Sequence, residues 1–381
     1  MITHFNVEGL FNLYNYNLDF TNADGTPIKF ITGPNGYGKS TILFLLNALY
    51  AQKFELILDV PFQSLSIDFD GASLSLKKEI RYTQLYEDER IPDIEQLTFK
   101  FCPSVGSEEE IFTVTRKDKT ISVSNAPVFG LFMQSRTSYF ITDQRLVHKK
   151  TDVQDRISEM DLSAVEDNAS HLKSLIAEKI FNPVVSLNRG VEEMSEKTYN
   201  EEREFLAKRI NTLKKYGLIS DKDFSVIPYS SEYNHIFPGY FRGITESLKA
   251  VKPFEEKLSL FEDIIGSCDF ANKKIQIGSN WGYRFKIDDK DSSPLPLSRL
   301  SSGEKQMLIQ MYEMLFRAQK GTLVLVDEPE ISFHMLWQVN YLANLRKIVE
   351  MNEIQLIVAT HSPEIFGGQW SMVQDLYEQA R

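Results

Sequence analysis

A glycine-rich stretch at residues 33–41 has the residue types and spacing of a phosphate-binding loop. Glycines let the backbone curl so that several N–H groups point at one anion, and the following helix start adds its positive dipole end. In this pattern the lysine reaches the β- and γ-phosphates, and the next hydroxyl binds Mg²⁺. The candidate residues for binding a nucleoside triphosphate are Gly33, Asn35, Gly36, Gly38, Lys39, Ser40 and Thr41.

The flanks of this loop predict a strand on one side and a helix on the other. Residues 28–31 form a short apolar run typical of a buried strand, and residues 41–49 carry an apolar stripe at helical spacing. A strand, a loop and a helix in this order are the context that the phosphate-binding pattern requires. This context disfavours the alternative, a glycine-rich turn that merely precedes a helix.

Two acids follow the apolar run at residues 322–326, which is typical of a strand buried on both faces of a parallel sheet. Asp327 at the end of the run could hold Mg²⁺ through water. Glu328 could orient and deprotonate a water molecule that attacks the γ-phosphate. The alternative is a core strand whose acids are only solvated at its exit.

Polar side chains also follow two other apolar runs. Residues 354–359 lead to His361, whose imidazole could hydrogen-bond a γ-phosphate and stabilise developing charge. Residues 138–142 lead to Gln144, and ligand contacts gather at such strand ends in open α/β sheets. Taken singly, a structural histidine and an ordinary strand exit are the simpler interpretations.

Small residues and a glycine precede another predicted helix. The sequence Leu-Ser-Ser-Gly-Glu at residues 300–304 leads into an apolar helix over residues 307–316. A helix start rich in small residues suits an anion, which makes Ser301, Ser302 and Gly303 candidates for phosphate binding. The alternative is an ordinary capped helix with Ser302 as its N-cap.

The elements around these groups change character along the chain. From about residue 158 to 267 the apolar residues follow helical spacing, and Pro253 is expected to kink or restart the last helix. A hairpin is predicted over residues 274–287. The strands predicted before the helical region are one or two in residues 1–20 with a break at Gly9, a hairpin around Asp70 and Gly71, and runs at 97–101, 111–115 and 120–124.

Composition bounds the class of protein. The 381 residues suffice for two or three domains, and 42% hydrophobic residues favour a sizeable core. Two cysteines without a C-x-x-C pattern argue against a disulfide framework or a zinc site and fit a reducing cytoplasm. Neither a signal peptide nor a membrane-spanning stretch is visible, so no membrane partner is expected. The net charge of −11 argues against a generally basic nucleic-acid-coating protein.

One part of the helical region is locally basic. A solvated helix face is the favoured interpretation of such a run, and a DNA-binding face is the alternative. The residues concerned are Lys208, Arg209, Lys214 and Lys215.

In this order along the chain, the phosphate loop, the small-residue motif, the acidic strand end and the histidine resemble the motifs of ABC-type ATPases. Lys39 and Ser40 resemble the end of the Walker A motif. Residues 300–304 resemble the LSGGQ signature of that family. Asp327 and Glu328 resemble the Walker B motif with its catalytic glutamate.

Two further positions extend the resemblance to ABC-type ATPases. His361 resembles the switch histidine, and Gln144 resembles the Q-loop glutamine. The resemblance implies ATP and Mg²⁺ as cofactors, with the metal held by Ser40, Gln144 and Asp327. It also implies that Lys39, Glu328 and His361 act in catalysis.

The resemblance implies an α/β fold, namely an ABC-type P-loop ATPase domain with a mixed sheet, flanking helices and an antiparallel β subdomain. Residues 1–150 would form its N-terminal half and residues 271–381 its C-terminal half. Residues 151–270 would be a helical insertion, as a short bundle or coiled coil.

Within that superfamily, the chain is similar to the SMC, RecF and OLD-type ATPases, and to bacterial anti-phage defence ATPases such as those of Septu, PARIS and some retron systems. Phe333 and Met335 depart from the family's residues around His334, so His334 is given no role. A nuclease domain of the TOPRIM kind is not expected after His361. The resemblance alone implies that the effector, a nuclease or a toxin, is a separate protein.

The resemblance also implies a homodimer, with room for a higher oligomer, in which two ATP molecules lie between subunits. Ser301 or Ser302, with Gly303, would act on the nucleotide of the other subunit. The first hypothesis for the whole protein is a cytoplasmic sensor ATPase that controls the effector. A DNA-repair ATPase that grips duplex DNA and a nucleotide-gated scaffold with little turnover are the alternatives. Phe11 and Tyr37 are candidates for stacking on adenine.

Overall fold

The computed structural model describes residues 1–86, 89–104, 106–115, 126–142, 153–181, 192–219, 226–268, 270–287 and 293–380. The strands are β1 (Ile2–Leu10), β2 (Tyr14–Asp19), β3 (Ile28–Thr32), β4 (Ser64–Phe69), β5 (Ala72–Tyr86), β6 (Glu89–Cys102), β7 (Glu110–Thr115), β8 (Ser138–Ile141), β9 (Lys273–Gly278), β10 (Gly282–Ile287), β11 (Leu323–Asp327), β12 (Gln355–Ala359) and β13 (Val373–Asp375). The helices are α1 (Lys39–Tyr50), α2 (Phe54–Leu58), α3 (Pro127–Gln134), α4 (Val153–Glu178), α5 (Glu196–Tyr216), α6 (Phe237–Ser267), α7 (Ser302–Tyr312), α8 (Met335–Asn352) and α9 (Leu376–Gln379).

The chain packs as two compact units. The first comprises Met1–Arg145 and Arg317–Arg381, and the second comprises Leu146–Phe316. The signature-like residues 300–304 therefore belong to the second unit. The domain boundaries predicted after residues 150 and 270 stay a prediction.

The first unit contains a parallel sheet and an antiparallel sheet. The parallel sheet has the strand order β13-β3-β12-β11-β8, and the antiparallel sheet has the order β2-β1-β4-β5-β6-β7. Strands β3, β11 and β12 are buried along nearly their whole length, which explains their continuous apolar sequences. Because these strands are parallel, their carboxyl ends meet at one edge, and this edge carries the candidate groups that follow β3, β11 and β12.

One apolar core joins α1 to both sheets of the first unit. It contains Phe5 and Phe99 from the antiparallel sheet, Leu46 from α1, and Leu325 and Ile357 from the parallel sheet. Each of these side chains is at most 1% exposed, and burying one contributes about 1.5–3 kcal/mol. The helix that follows the phosphate-binding loop is thus anchored to both sheets by packing.

Several predicted strands of this unit are confirmed, with one difference at Gly9. Strands β4 and β5 pair across the turn at Asp70 and Gly71, and the runs at 97–101 and 111–115 lie in β6 and β7. Gly9 does not break a strand: it lies within β1 at a bulge, where φ is +65°, and the chain turns after Leu10. The run at 120–124 lies outside the described residues.

The second unit contains α4 to α7 and the hairpin of β9 and β10, which confirms the hairpin predicted over 274–287. The expected buried faces of α4 and α5 are largely confirmed. Leu172, Ile176, Leu206, Ile210 and Leu213 are buried. Ile180 is 42% exposed, because α4 ends at Glu178 and the helical face no longer applies there.

Helix α6 runs from Phe237 to Ser267 without a break at Pro253. Of the two predicted outcomes, a kink or a restart, the restart is therefore wrong, and the kink stays a prediction. Proline inside a helix removes one backbone hydrogen bond and costs about 3 kcal/mol. Leu248 before the proline and Leu258 and Phe261 after it are all buried. Burial of these side chains offsets the local cost and keeps both segments in one helix.

Replacing Gly282 by alanine is expected to destabilise the second unit by about 3 kcal/mol or more. Gly282 has a φ of +73°, and a Cβ there would lie 1.8 Å from the Ala169 carbonyl oxygen in α4. Thermal unfolding measures the effect. Gly266→Ala is the matched control, because a Cβ at this α6 position meets no atom within 4 Å apart from the nearby backbone of its own helix and its chain neighbours. Equal melting temperatures for the two variants would contradict the expected clash.

Candidate functional site

The phosphate-binding loop lies between β3 and α1 in the first unit, as predicted. Gly33, Gly36 and Gly38 have φ angles of +145°, +87° and +89°. Gly38 is the N-cap of α1, and a Cβ there would lie 2.9 Å from Leu10 Cδ2. Glycine is therefore required at Gly38 for both conformation and space. Asn35 lies in the loop, so the predicted set of loop residues forms one continuous structure at the start of α1.

The Lys39 side chain lies at the centre of this arrangement and is 5% exposed. Its Nζ donates to the Gly33 carbonyl oxygen at 2.9 Å, lies 2.6 Å from His361 Nε2, and lies 3.5 Å from Glu328 Oε1. Burial lowers the pKa of Lys39, and the Glu328 carboxylate opposes this shift. The loop and the two strand ends therefore meet at one ammonium group.

Ser40 and Asp327 place two oxygen atoms where Mg²⁺ could be bound. Ser40 Oγ donates to Asp327 Oδ1 at 3.0 Å. Neighbouring ligands of an octahedral Mg²⁺ with metal–oxygen distances of 2.0–2.1 Å lie about 3 Å apart. The chemistry of this pair thus fits the ion, and its spacing suits Asp327 either as a direct ligand or, as predicted, as a partner through water. Gln144, the third predicted ligand, lies outside the described residues.

Glu328 follows β11 in a left-handed backbone conformation with φ of +45°. Its N–H donates to the Ala359 carbonyl oxygen at 2.9 Å, which ties the end of β11 to the end of β12. Glu328 Oε1 lies 3.0 Å from His361 Nε2. Burial raises the pKa of Glu328 to about 8, and the nearby Glu330 carboxylate adds to the shift. A carboxyl group with this proton affinity suits proton transfer near neutral pH.

His361 follows β12, and its side chain is 36% exposed. Burial and the positive charge of Lys39 lower the pKa of His361, so the imidazole is neutral at pH 7. A neutral ring nitrogen can accept a hydrogen bond from Lys39, which accords with their 2.6 Å separation. The site can therefore hold a histidine beside a buried lysine without two adjacent positive charges.

One acid in this region was given no role by sequence reasoning. Glu330 Oε1 accepts three hydrogen bonds, from Thr360 Oγ1 at 2.6 Å, His361 N at 2.7 Å and Ser362 N at 3.1 Å. The one sequence signal was its place two residues after Glu328. Glu330 thus contacts the loop that carries the predicted switch histidine.

The signature-like residues begin α7 in the second unit. Ser301, and not Ser302, is the N-cap, because Ser301 has the extended backbone that an N-cap requires. Glu304 Oε2 accepts from Ser301 N at 2.7 Å, and Ser301 Oγ accepts from Glu304 N at 3.3 Å. Ser302 is exposed and Gly303 is buried. The roles of Ser301, Ser302 and Gly303 in nucleotide binding stay predictions.

The two residues predicted as candidates for stacking on adenine, Phe11 and Tyr37, lie beside the phosphate-binding loop. The Phe11 ring lies 3.4 Å from the position that a Gly38 Cβ would occupy. The Tyr37 ring stacks on Tyr14 with a centroid distance of 5.2 Å. One face of Tyr37 is therefore occupied, and adenine stacking stays a prediction for both residues.

His334 has a structural role at the start of α8. It is the N-cap of this helix, and its Nδ1 accepts from Leu336 N at 3.4 Å. This capping role accounts for a histidine at position 334 without any part in the candidate site.

Comparison with known proteins identifies a retron-associated relative. The chain is 33% identical over 110 residues to the "Retron Ec83 probable ATPase" of Escherichia coli. The match covers 25% of this chain and 19% of that protein, so it spans about a fifth of the relative's length.

Two solved SMC head structures resemble the chain at low identity. One is the SmcHead bound to the C-winged helix domain of ScpA, with 11% identity, a TM-score of 0.41, and coverage of 96% of this chain and 91% of that one. The other is the Smc head domain with an extended coiled coil bound to the C-terminal domain of ScpA derived from Pyrococcus furiosus. It shares 12% identity, with a TM-score of 0.38 and coverage of 96% and 90%.

The predicted α/β fold class is confirmed. The predicted resemblance to defence-associated ATPases is confirmed as well. The structure contains parallel and antiparallel sheets with flanking helices. Among the described residues, no helix has the length and apolar character needed to span a bilayer. A family model described as "AAA domain, putative AbiEii toxin, Type IV TA system" matches residues 28–367, which include every candidate site residue from Gly33 to His361. The chain belongs to this family of AAA-domain proteins.

Proposed function

We propose that this chain is a Mg²⁺-dependent ATPase that works as a nucleotide-sandwich homodimer. The observation that carries the proposal is the convergence of Lys39, Ser40, Asp327, Glu328 and His361 at one edge of the parallel sheet. Lys39 Nζ lies within 3.5 Å of both Glu328 and His361, and Ser40 donates to Asp327. These residues come from three separate segments, and their side chains are those that phosphoryl transfer requires.

Each group has a distinct part in the proposed reaction. The loop N–H groups and Lys39 bind the β- and γ-phosphates, while Ser40 and Asp327 would hold Mg²⁺. When bound, the ion neutralises phosphate charge. Glu328 orients the attacking water and accepts its proton, and His361 hydrogen-bonds the γ-phosphate as charge develops.

The dimer part of the proposal rests on the family resemblance. Ser301, Ser302 and Gly303 of one subunit would face the nucleotide held by the loop of the other. Gln144 would complete the metal ligands. ATP bound by both surfaces then favours the closed dimer by mass action.

The biological role that we propose is the sensor or regulatory ATPase of a cytoplasmic anti-phage defence system, with a separate nuclease or toxin as effector. The retron-associated relative and the toxin–antitoxin description of the family support this role. The stretch shared with the relative is short, so the effector is a proposal from family context. Co-purification with the product of a neighbouring gene would test it.

The structure adds no support to the alternative of a DNA-gripping protein. Three members of the basic run in α5 lie beside carboxylates. Lys208 is 3.0 Å from Glu204, Arg209 binds both oxygens of Glu255, and Lys215 pairs with Glu262. Among the described residues, these pairs offset three of the four positive charges of the run, which does not favour its binding to phosphates.

The proposal is tested by measuring ATP hydrolysis and oligomeric state together. The wild-type protein is expected to hydrolyse ATP in the presence of Mg²⁺ and to shift from monomer towards dimer when ATP is bound. Chelation of Mg²⁺ should abolish turnover. Bound ATP with negligible turnover in every oligomeric state would instead favour the nucleotide-gated scaffold.

Replacing His361 by alanine is expected to lower kcat about 10- to 100-fold and to leave the Kd for ATP within about 3-fold of wild type. The reason is that the imidazole would act on charge that develops during hydrolysis, whereas the loop and Lys39 bind the ground state. Steady-state kinetics and calorimetry measure the two effects. An unchanged kcat would remove His361 from the proposed mechanism.

A further inference from the structure

Glu330 ties the end of β11 to the loop that follows β12. A single oxygen, Oε1, accepts from Thr360 Oγ1 and from the main-chain N–H groups of His361 and Ser362. Thr360 is fully buried. Three donors on one carboxylate oxygen restrain the main chain at His361. A hydrogen bond to the imidazole alone would leave this main chain free to move.

The segment that presents Glu330 is itself held in place. Ile331 N donates to the main-chain carbonyl oxygen of Glu328 at 3.3 Å. Phe333 N donates to the main-chain carbonyl oxygen of Glu330 at 2.8 Å. Ser332 adopts a left-handed conformation with φ of +69°. These tight turns fix Glu330 relative to Glu328, so the carboxylate is a rigid support for the loop.

We propose that Glu330 is a positioning residue, which holds the His361 loop so that the imidazole stays within reach of both Glu328 and Lys39. This inference rests on the proposed function. His361 Nε2 lies 3.0 Å from Glu328 Oε1 and 2.6 Å from Lys39 Nζ. A loop without its anchor would populate other backbone conformations, and small displacements of a catalytic group greatly reduce its effect.

For holding the loop, the arrangement predicts that the position of the acceptor oxygen matters more than its charge. The charge acts separately, because it helps to raise the pKa of Glu328, and both Glu330→Ala and Glu330→Gln remove it, so the difference between these two variants reports on the oxygen. Glu330 Oε2 is buried and accepts no hydrogen bond from the described part of the chain. Glutamine can therefore keep the three contacts through its own Oε1. Aspartate keeps the charge but withdraws the oxygen by one methylene, and alanine removes it.

The experiment compares Glu330→Ala, Glu330→Asp and Glu330→Gln in the full chain. We expect kcat for ATP hydrolysis to fall about 10-fold or more in the alanine and aspartate variants, with KM within about 3-fold of wild type. The glutamine variant should retain kcat within about 5-fold. If the alanine variant fails to fold, the aspartate and glutamine pair carries the same comparison. If Glu330 had a purely structural role, kcat of the three variants would vary with their melting temperatures and not in this order.

A double-mutant cycle with His361→Ala tests whether Glu330 acts through the histidine. The Glu330→Ala/His361→Ala protein should be no slower than His361→Ala within about 2-fold. Gln338→Ala is the matched control, because Gln338 accepts from Ser362 Oγ at 2.6 Å and holds the same loop without contacting His361. It should stay within about 3-fold of wild type.

The outcomes separate the inference from the proposed function. If His361→Ala is slow and Glu330→Ala is not, or if their effects multiply in the double variant, Glu330 is not a positioning residue. A kcat for Glu330→Gln as low as that of Glu330→Ala would overturn it as well. If the wild-type protein hydrolyses no ATP in any oligomeric state, the proposed function fails, and this inference fails with it.

Discussion

Replacing Lys39 by methionine is expected to weaken ATP binding at least about 100-fold. The ammonium would contact two phosphate groups, and a hydrogen bond to a charged group contributes about 1.5–3 kcal/mol. Two such contacts therefore amount to two or more factors of ten in Kd. Methionine keeps the apolar stem of the side chain, so the loss reports on the charge and not on packing. Isothermal titration calorimetry with ATP and Mg²⁺ measures the change.

Lys29→Met is the matched control for this loss. Lys29 is a second buried lysine of the first unit, 4% exposed against 5% for Lys39. It lies in β3, and its Nζ donates to the Ser371 carbonyl oxygen at 3.2 Å, away from the phosphate-binding loop. The control should bind ATP within about 3-fold of wild type. Equal affinity of the Lys39→Met variant and the wild-type protein for ATP would show that the loop is not the nucleotide site.

Local chemistry explains why much of this site was predictable from the sequence. The phosphate-binding loop depends on glycines at fixed spacing, and the hairpin at Asp70 and Gly71 depends on a two-residue turn. The meeting of Lys39 with His361 followed from one topological rule, since parallel strands end at the same sheet edge. Burial on both faces is visible as continuous apolar runs.

Features that depend on packing or exact backbone geometry could not be predicted in the same way. The continuity of α6 through Pro253 depends on buried partners on both sides of the proline. The N-cap at Ser301 differs from the predicted one by a single residue, because only backbone angles distinguish two adjacent serines. Glu330 acts on residues that lie about 30 positions later in the chain, so sequence spacing alone could not reveal its contacts.

The residues of the site also depend on one another. Lys39 is buried with Glu328 and His361 nearby, and the lowered pKa of His361 keeps two positive charges from meeting. Removing one member therefore changes the electrostatic environment of the others, and single effects need not add. This interdependence is the reason for preferring isosteric substitutions, and it shapes the test for Glu328.

Replacing Glu328 by glutamine is expected to leave ATP binding within about 3-fold of wild type and to lower kcat at least about 100-fold. General base catalysis typically contributes 10²- to 10⁴-fold, and an amide cannot accept the proton of the attacking water. Binding should persist because glutamine has the same shape and its Oε1 can still accept from Lys39. Because burial raises the pKa of Glu328 to about 8, the folded protein readily accommodates the uncharged carboxyl, and an uncharged amide of the same shape should cost little stability. Only the ionised fraction of Glu328 acts as the base.

The accumulation of an ATP-bound dimer gives the Glu328→Gln test a second readout. With hydrolysis blocked, ATP stays bound and the closed form persists, so size-exclusion chromatography with ATP should show a stable dimer. Glu364→Gln is the control, since this exposed acid lies three residues after His361 and outside the cluster. It should hydrolyse ATP at the wild-type rate. Normal turnover in Glu328→Gln, with the same oligomer in the presence and absence of ATP, would show that Glu328 is not the base.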